Sequence, residues 1–228
     1  LNQSNRLVKK LTTITPEILL DAYRAGIFPM AEGSASDEIF FVDPEQRGVM
    51  PIRTFHTPRK VRKIIKQQVF DVTYDTTFEA VLEGCAATGK RNRMDTWINS
   101  EIKQLYLGLY KRGNCHSVEV WLKGDLVGGL YGVAIGGVFF GESMFSTISG
   151  ASKVALVYLV AKLRMGGFIL LDIQFNTDHL TQFGALEITR GEYRRQLKAA
   201  LKIRGEFSNY SEDLDWISRF LQSNTHTS

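Results

Sequence analysis

Only two cysteines, Cys85 and Cys115, and four histidines occur in 228 residues. So few thiols exclude a zinc site of the CxxC type and leave no basis for a disulfide framework, and a reducing cytoplasm is the expected compartment. Long apolar runs are missing as well. Val154–Val160 and Phe168–Leu171 fall far short of the roughly 20 residues that cross a bilayer, and the N-terminus has no signal-peptide pattern. Neither membrane insertion nor export is expected. Repeats and low-complexity tracts are absent, and charge of one sign is in small excess: 28 Lys and Arg against 24 Asp and Glu, a net +4.

A content of 44% hydrophobic residues supports one sizeable core, which favours a full domain with a smaller appendage. The basic residues gather in two segments, one holding Arg59, Lys60, Arg62, Lys63 and Lys66, the other Arg190, Arg194, Arg195, Lys198, Lys202 and Arg204. A solvated helix face explains either segment alone; a polyanion-binding surface is the sharper reading.

Caps and periodicity outline an α+β chain. Thr15 and Pro16 open a helix that stops near Gly26. Ala31 to Pro51 reads as loops and short strands of a small N-terminal unit, residues 1–55, with its boundary near Phe55. Thr57-Pro58 repeats the cap device before a basic helix, and the box Thr76-x-x-Glu79 opens another after a short strand, Phe70 to Tyr74. Asn99 or Ser100 caps a helix carrying Ile102, Leu105, Tyr106 and Leu109, with Gly113 as its stop. Three strands between Ser117 and Phe145 form an antiparallel meander. Ser149 caps an apolar helix to Met165, Phe168 to Phe175 is a buried strand, and Arg190 to Arg204 is a last basic helix. The main domain is set at 56–210, followed by a C-terminal tail, 211–228, with Ser223 to Ser228 disordered.

Several apparent motifs fail on context. Gly84 to Arg91 nearly spells a phosphate-cradling loop, but Arg91 stands where Ser or Thr would bind magnesium, and the segment follows a helix. Ser143 lies in a strand without a nucleophile elbow. Cys115 and His116 point to opposite faces of an extended chain and cannot form a dyad. More telling are Asp172 and Gln174, two apart in a strand of Ile, Leu and Phe and so expected on one face, and Glu142 in the apolar strand around Phe139 and Phe145. A carboxylate in such surroundings must find a partner or a ligand; a satisfied structural polar group is the plain alternative.

At this point the motifs Ala22-Tyr-Arg-Ala-Gly-Ile-Phe-Pro29, Glu83-Gly-Cys85, Thr96-Trp97-Ile98, His116-Ser-Val-Glu-Val-Trp121, Leu126-Val-Gly-Gly-Leu-Tyr-Gly-Val133, Gly141-Glu-Ser-Met-Phe-Ser146, Ala151-Ser-Lys153 and Asp172-Ile-Gln174 run in one order across most of the chain. In this the sequence resembles the leucyl/phenylalanyl-tRNA-protein transferase family. The resemblance implies a small N-terminal α/β domain followed by a domain of the N-acetyltransferase (GNAT) fold, with a mixed, mostly antiparallel sheet flanked by helices. It implies transfer of Leu or Phe, with Met as a third candidate, from aminoacyl-tRNA to proteins beginning with Arg or Lys, which creates a degradation signal of the N-end rule pathway. A cytoplasmic monomer with no metal, cofactor or membrane partner is expected.

By the same resemblance Asp172, Gln174 and Glu142 are catalytic, Glu142 lying near the 3′-terminal adenosine. Asp172 is expected to hold the attacking amine and assist its deprotonation, with Gln174 hydrogen-bonding the reacting groups. Leu130, Phe139, Met144, Leu156 and Leu159 match the pocket for the transferred side chain. Trp97, Tyr23 and Tyr106 match positions that stack on the terminal adenine, Met30 replaces a tryptophan frequent in the family, and Asn176 is placed at the acceptor peptide. Arg59, Lys60, Arg62, Lys63, Lys66, Arg194 and Lys198 then become phosphate contacts.

Two other functions compete. A coenzyme A-dependent N-acetyltransferase would need an Arg/Gln-x-x-Gly-x-Gly/Ala loop between strand and helix, and the chain has none. A non-catalytic RNA-binding protein would use the basic helices and Trp97.

Overall fold

The computed structural model describes residues 6–7, 14–31, 33, 38–91, 97–207 and 216–223. In chain order the elements are β1 (Arg6–Leu7), α1 (Pro16–Arg24), β2 (Phe28–Ala31), β3 (Ile39–Val42), β4 (Gln46–Met50), α2 (Arg59–Lys66), β5 (Asp71–Tyr74), α3 (Phe78–Arg91) and α4 (Ser100–Lys111). They continue with β6 (Cys115–Leu122), β7 (Asp125–Ile135), β8 (Val138–Ser146), α5 (Ala151–Met165), β9 (Leu170–Gln174), α6 (Asp178–Thr181), β10 (Leu186–Thr189), α7 (Arg190–Ala200) and α8 (Trp216–Ser223).

Local chemistry explains several of these boundaries. Thr15 accepts the amide of Ile18 at the start of α1, and Asn99 accepts that of Ile102 at the start of α4. Other caps differ from expectation. The Thr57 hydroxyl is buried without a partner, so α2 starts without a side-chain cap. Thr76 turns to Glu119 instead of closing a box at α3, because that buried carboxylate needs donors. Gly150, with φ of 94°, rather than Ser149, precedes α5. Gly84 to Arg91, rejected above as a phosphate loop, forms the last part of α3, which is helical through Arg91.

Two sheets form. The small one has the order β1-β3-β2; the large one has seven strands in the order β10-β4-β9-β8-β7-β6-β5. Every neighbouring pair in the large sheet is antiparallel except β8 and β9, which α5 connects as a parallel pair. Gln46–Met50, expected among the loops and short strands of the N-terminal unit, is β4, an inner strand of the large sheet between β9 and β10.

Side-chain alternation divides the core between the two faces of this sheet. Tyr131, Val133 and Phe140 face one cluster with α1, α3, α4 and α7. Leu130, Phe139 and Leu171 face the other with α2, α5 and α8. Helix α8 falls in the region expected to be a tail. Trp216, Phe220 and Leu221 recur at helical spacing and are buried, Trp216 against Tyr158 and Phe220 against Phe55. Ser223 ends that helix, and residues 224–228 of the expected tail lie outside the described residues.

Candidate active site

The site begins where the parallel strands part. β8 and β9 pair only from Val138↔Leu170 to Phe140↔Asp172, after which β8 follows β7 and β9 follows β4. Irregularities on both sides widen the gap. A register shift between Tyr131 and Gly132 leaves Glu142 as an extra residue in β8, and one between Gly48 and Val49 leaves Ile173 extra in β9. Gln174 takes a left-handed φ of 56°, a conformation that costs a non-glycine residue about 1–3 kcal/mol. Opposite it, β4 approaches so closely that a Cβ on Gly48 would stand 2.8 Å from the backbone of Phe175 and Asn176. The result is a cavity of about 330 Å³ at the carboxyl ends of the two strands, the position where open sheets with parallel strands commonly bind ligands.

One wall of the cavity is apolar and the other end polar. Leu130, Met144, Leu156 and Leu159 line the first, while Glu142 and Gln174 line the second, with Thr177 and His179 at the side. His179 Nε2 is buried without a partner, and burial together with the charge of Lys153 holds its pKa below the usual histidine value. Phe139 does not line the cavity. It shares the sheet face with Leu130 but is fully buried against Phe168 and Phe207, one step back along β8.

Asp172 lies behind this cavity rather than in its lining. Arg47 grips both of its oxygens, Nε to Oδ1 at 2.9 Å and Nη2 to Oδ2 at 2.6 Å. Tyr193 donates to Oδ2 at 2.6 Å and the Gln174 amide to Oδ1 at 2.9 Å. The guanidinium is sandwiched 4.4 Å from the Phe28 ring and 4.5 Å from that of Tyr193. Burial works against its charge more than any single neighbour favours it, but Asp172, Tyr193 and Glu142 together outweigh burial and raise the Arg47 pKa above its ordinary value. Four accepted hydrogen bonds fill the carboxylate's usual capacity. In this arrangement Asp172 braces Arg47 and the Gln174 backbone, and its acceptor sites are occupied by protein donors.

Glu142 has a different setting. Its Oε2 accepts from the Tyr106 hydroxyl at 2.6 Å and its Oε1 from Gln174 Nε2 at 3.1 Å. The Tyr23 and Tyr106 hydroxyls share a further hydrogen bond of 2.6 Å. Burial pushes the Glu142 pKa up to about 7; hydrogen bonds from Tyr106 and Tyr23 pull it down, and the nearby Asp172 pushes it up. Tyr23 and Tyr106 are fully buried, and their hydroxyls serve this network. Neither exposes a ring face to a base, which corrects their assignment as stacking residues. Trp97, half-buried, meets Tyr106 edge-on at 6.4 Å, and Met30 is half-buried against the same core.

The remaining candidates lie further out. Asn176 lies two residues beyond Gln174, and its Oδ1 accepts from the Thr177 amide and the Thr181 hydroxyl. On α2, Arg59, Lys60, Lys63 and Lys66 are exposed and Arg62 is half-buried. On α7, Lys198 is exposed, whereas Arg194 pairs with Asp43 at 2.7 Å. Both cysteines are buried free thiols, with burial raising the Cys85 pKa to about 12; Cys115 donates to the Gly132 carbonyl while His116 pairs with Asp75. Among the described residues no group of three His, Cys, Asp or Glu is placed to hold a metal ion, and no helix is long and apolar enough to cross a membrane.

Arg47, Tyr193 and His179 were not singled out from sequence. A buried Asp172 does demand a cation or several donors, but nothing local to Arg47, 125 residues away in sequence, says that it answers the demand.

The family model described as leucyl/phenylalanyl-tRNA protein transferase matches residues 49–198, and that described as the N-terminal domain of the same family matches residues 12–45. The leucyl/phenylalanyl-tRNA–protein transferase of Caulobacter vibrioides is 53% identical over 193 residues, which cover 85% of this chain and 88% of the relative. That of Nitrobacter winogradskyi is 54% identical over 194 residues, covering 85% and 86%. Among solved structures, FemX superposes with a TM-score of 0.52 over 75% of this chain and 66% of its own at 12% identity, a likeness of fold.

Proposed function

Because the chain belongs to the leucyl/phenylalanyl-tRNA protein transferase family, we propose that it moves Leu or Phe from aminoacyl-tRNA to the α-amino group of proteins beginning with Arg or Lys, creating an N-end rule degradation signal. The observation that carries this reading is the cavity between β8 and β9. Its apolar wall of Leu130, Met144, Leu156 and Leu159 suits an uncharged side chain, and its polar end at Glu142 and Gln174 suits an ester. The adaptable Met144 side chain lets the same wall accept Leu, Phe or Met.

The reaction is attack by a neutral amine on an ester carbonyl, through a tetrahedral oxyanion, with a ribose hydroxyl leaving. Arg47, Asp172 and Tyr193 hold the Gln174 backbone in its left-handed conformation, and Gln174 in turn directs its amide at Glu142. Positioning of the two reactants supplies much of the rate. Trp97 and Met30 flank the terminal adenosine, Asn176 meets the acceptor peptide, and the exposed cations of α2 contact tRNA phosphates. The protein works as a cytoplasmic monomer. Its larger unit is of the GNAT type, a reading supported by the antiparallel meander β6–β8 joined through α5 to the parallel β9. We draw the boundary of the small N-terminal unit before β4, since β4 is integral to the large sheet.

The test is transfer of radiolabelled leucine from Leu-tRNA onto casein or another Arg-starting protein. Label is expected on the acceptor with charged tRNA as donor and none with acetyl-coenzyme A. Binding of charged and uncharged tRNA without any labelling would favour a non-catalytic RNA-binding protein instead.

A further inference from the structure

Two carboxylates stand at the parting of β8 and β9, and only one has access to the cavity. Glu142 is the sole acidic residue among the described residues that line it, and the bulge in β8 brings its carboxyl beside Gln174. Asp172 is sealed behind with four hydrogen bonds, whereas Glu142 accepts from Tyr106 and Gln174 and retains lone pairs. Resting on the transferase reading above, we infer that Glu142 is the proton carrier of the reaction: it takes a proton from the attacking nitrogen and delivers it to the departing ribose oxygen.

The steps balance without a co-reactant. The acceptor ammonium first loses a proton to water, and the lone pair of the neutral amine forms the C–N bond while the carbonyl electrons move onto oxygen. The adduct nitrogen now carries positive charge, and the Glu142 carboxylate removes one of its protons. The oxyanion then collapses, the bond from carbonyl carbon to ribose oxygen breaks, and the Glu142 carboxyl protonates that oxygen as it leaves. An amide and a free ribose hydroxyl result, and Glu142 returns to the carboxylate.

A carrier must both accept and release its proton near the working pH, and the surroundings of Glu142 tune it for that. Tyr106 on α4, Tyr23 on α1, Tyr131 on β7, Cys115 on β6, Asp172 on β9 and Arg47 on β4 all face it. Burial raises its proton affinity, and the Tyr106 hydroxyl, backed by Tyr23, lowers it. Tyr106 is thus a positioning residue that sets the affinity of Glu142.

Single-turnover transfer from Leu-tRNA to an Arg-starting peptide, followed across the neutral pH range, tests this. The wild type should show a limb with an apparent midpoint near 7, beside the limb set by the acceptor's own amine. At saturating Leu-tRNA, Glu142→Gln should lose the first limb and slow by about 10²- to 10⁴-fold. Tyr106→Phe should move the midpoint to higher pH, a change that a merely structural lesion would not produce. A Glu142→Gln enzyme with the wild-type rate and both limbs would overturn the inference, as would an unmoved midpoint in Tyr106→Phe. A wild type that moves no leucine at all would overturn the transferase reading and this inference together.

Discussion

The Arg47 guanidinium and the Asp172 carboxylate meet through two hydrogen bonds, of 2.9 and 2.6 Å, with 1% and 0% of their side chains exposed. Such a pair is held by its geometry, because each ion has given up its hydration. Tyr193 and the Gln174 amide add donors to the carboxylate, so the pair fixes the end of β9 as well as itself.

Removing one partner strands the other. Arg47→Met is expected to lower unfolding stability by about 3–5 kcal/mol, and Asp172→Asn to weaken transfer by loosening Gln174. The double variant Arg47→Met/Asp172→Leu should recover much of the stability but not the transfer. Urea unfolding of the three variants checks this; a single Arg47→Met variant as stable as the wild type would contradict the buried-pair account.

Glu142 links the site to stability through pH. Its folded-state pKa, about 7, lies above the ordinary 4.5, so the folded state holds the proton more tightly than the unfolded chain. The associated stability is full below 4.5 and is lost as pH rises through 7. Glu142→Gln never ionises. Its stability relative to the wild type should therefore grow across that window, by up to about 1.4 kcal/mol per pH unit, and level off above it. Melting of both proteins in parallel from acid to mildly alkaline buffer gives the comparison, and a constant difference would remove the raised affinity on which it rests.

How far the sequence alone reached depended on whether the relevant signal was local. The meander β6–β8, helix α5 and strand β9 were legible because alternation, caps and glycines lie within each segment. β4 was not: Arg47 and Gly48 break its apolar pattern, and they belong there only because Asp172 and the backbone after Gln174 lie alongside. Glu142 stood out as a carboxylate in an apolar strand, yet its partner Tyr106 is 36 residues away. Tyr23 and Tyr106 are aromatic side chains that suit stacking or core equally, and only their burial distinguishes the two. Phe139 enters the expected pocket through the family resemblance, and a matching motif position does not tell a lining residue from one a single step behind it.

That step separates specificity from stability. Leu156 lines the cavity, so Leu156→Phe should narrow it and lower kcat/KM for Phe-tRNA relative to Leu-tRNA by about 10-fold or more. Phe139 packs against Phe168 and Phe207 outside the lining. Phe139→Ala should cost about 3–5 kcal/mol of stability and leave the Leu-to-Phe ratio near the wild-type value. Competition between the two charged tRNAs reads both variants; a changed ratio in Phe139→Ala would place that side chain back in the pocket.

The two basic helices should respond differently to salt. On α2, Lys60, Lys63 and Lys66 are exposed and the first turn holds no acidic residue. On α7, Arg194 pairs with Asp43, and Arg195 with Glu192. An exposed cation that neutralises a phosphate contributes about 0.7 to 0.9 to the slope of log affinity against log salt, because it releases a bound counterion. Lys63→Ala should reduce the slope for Leu-tRNA by about that amount and weaken binding most at low salt. Arg194→Ala should change the slope less, since its charge is already partly balanced by Asp43 in the free protein. Titrations of tRNA binding at several salt concentrations decide between them, and equal slopes for Lys63→Ala and the wild type would take α2 out of the tRNA interface.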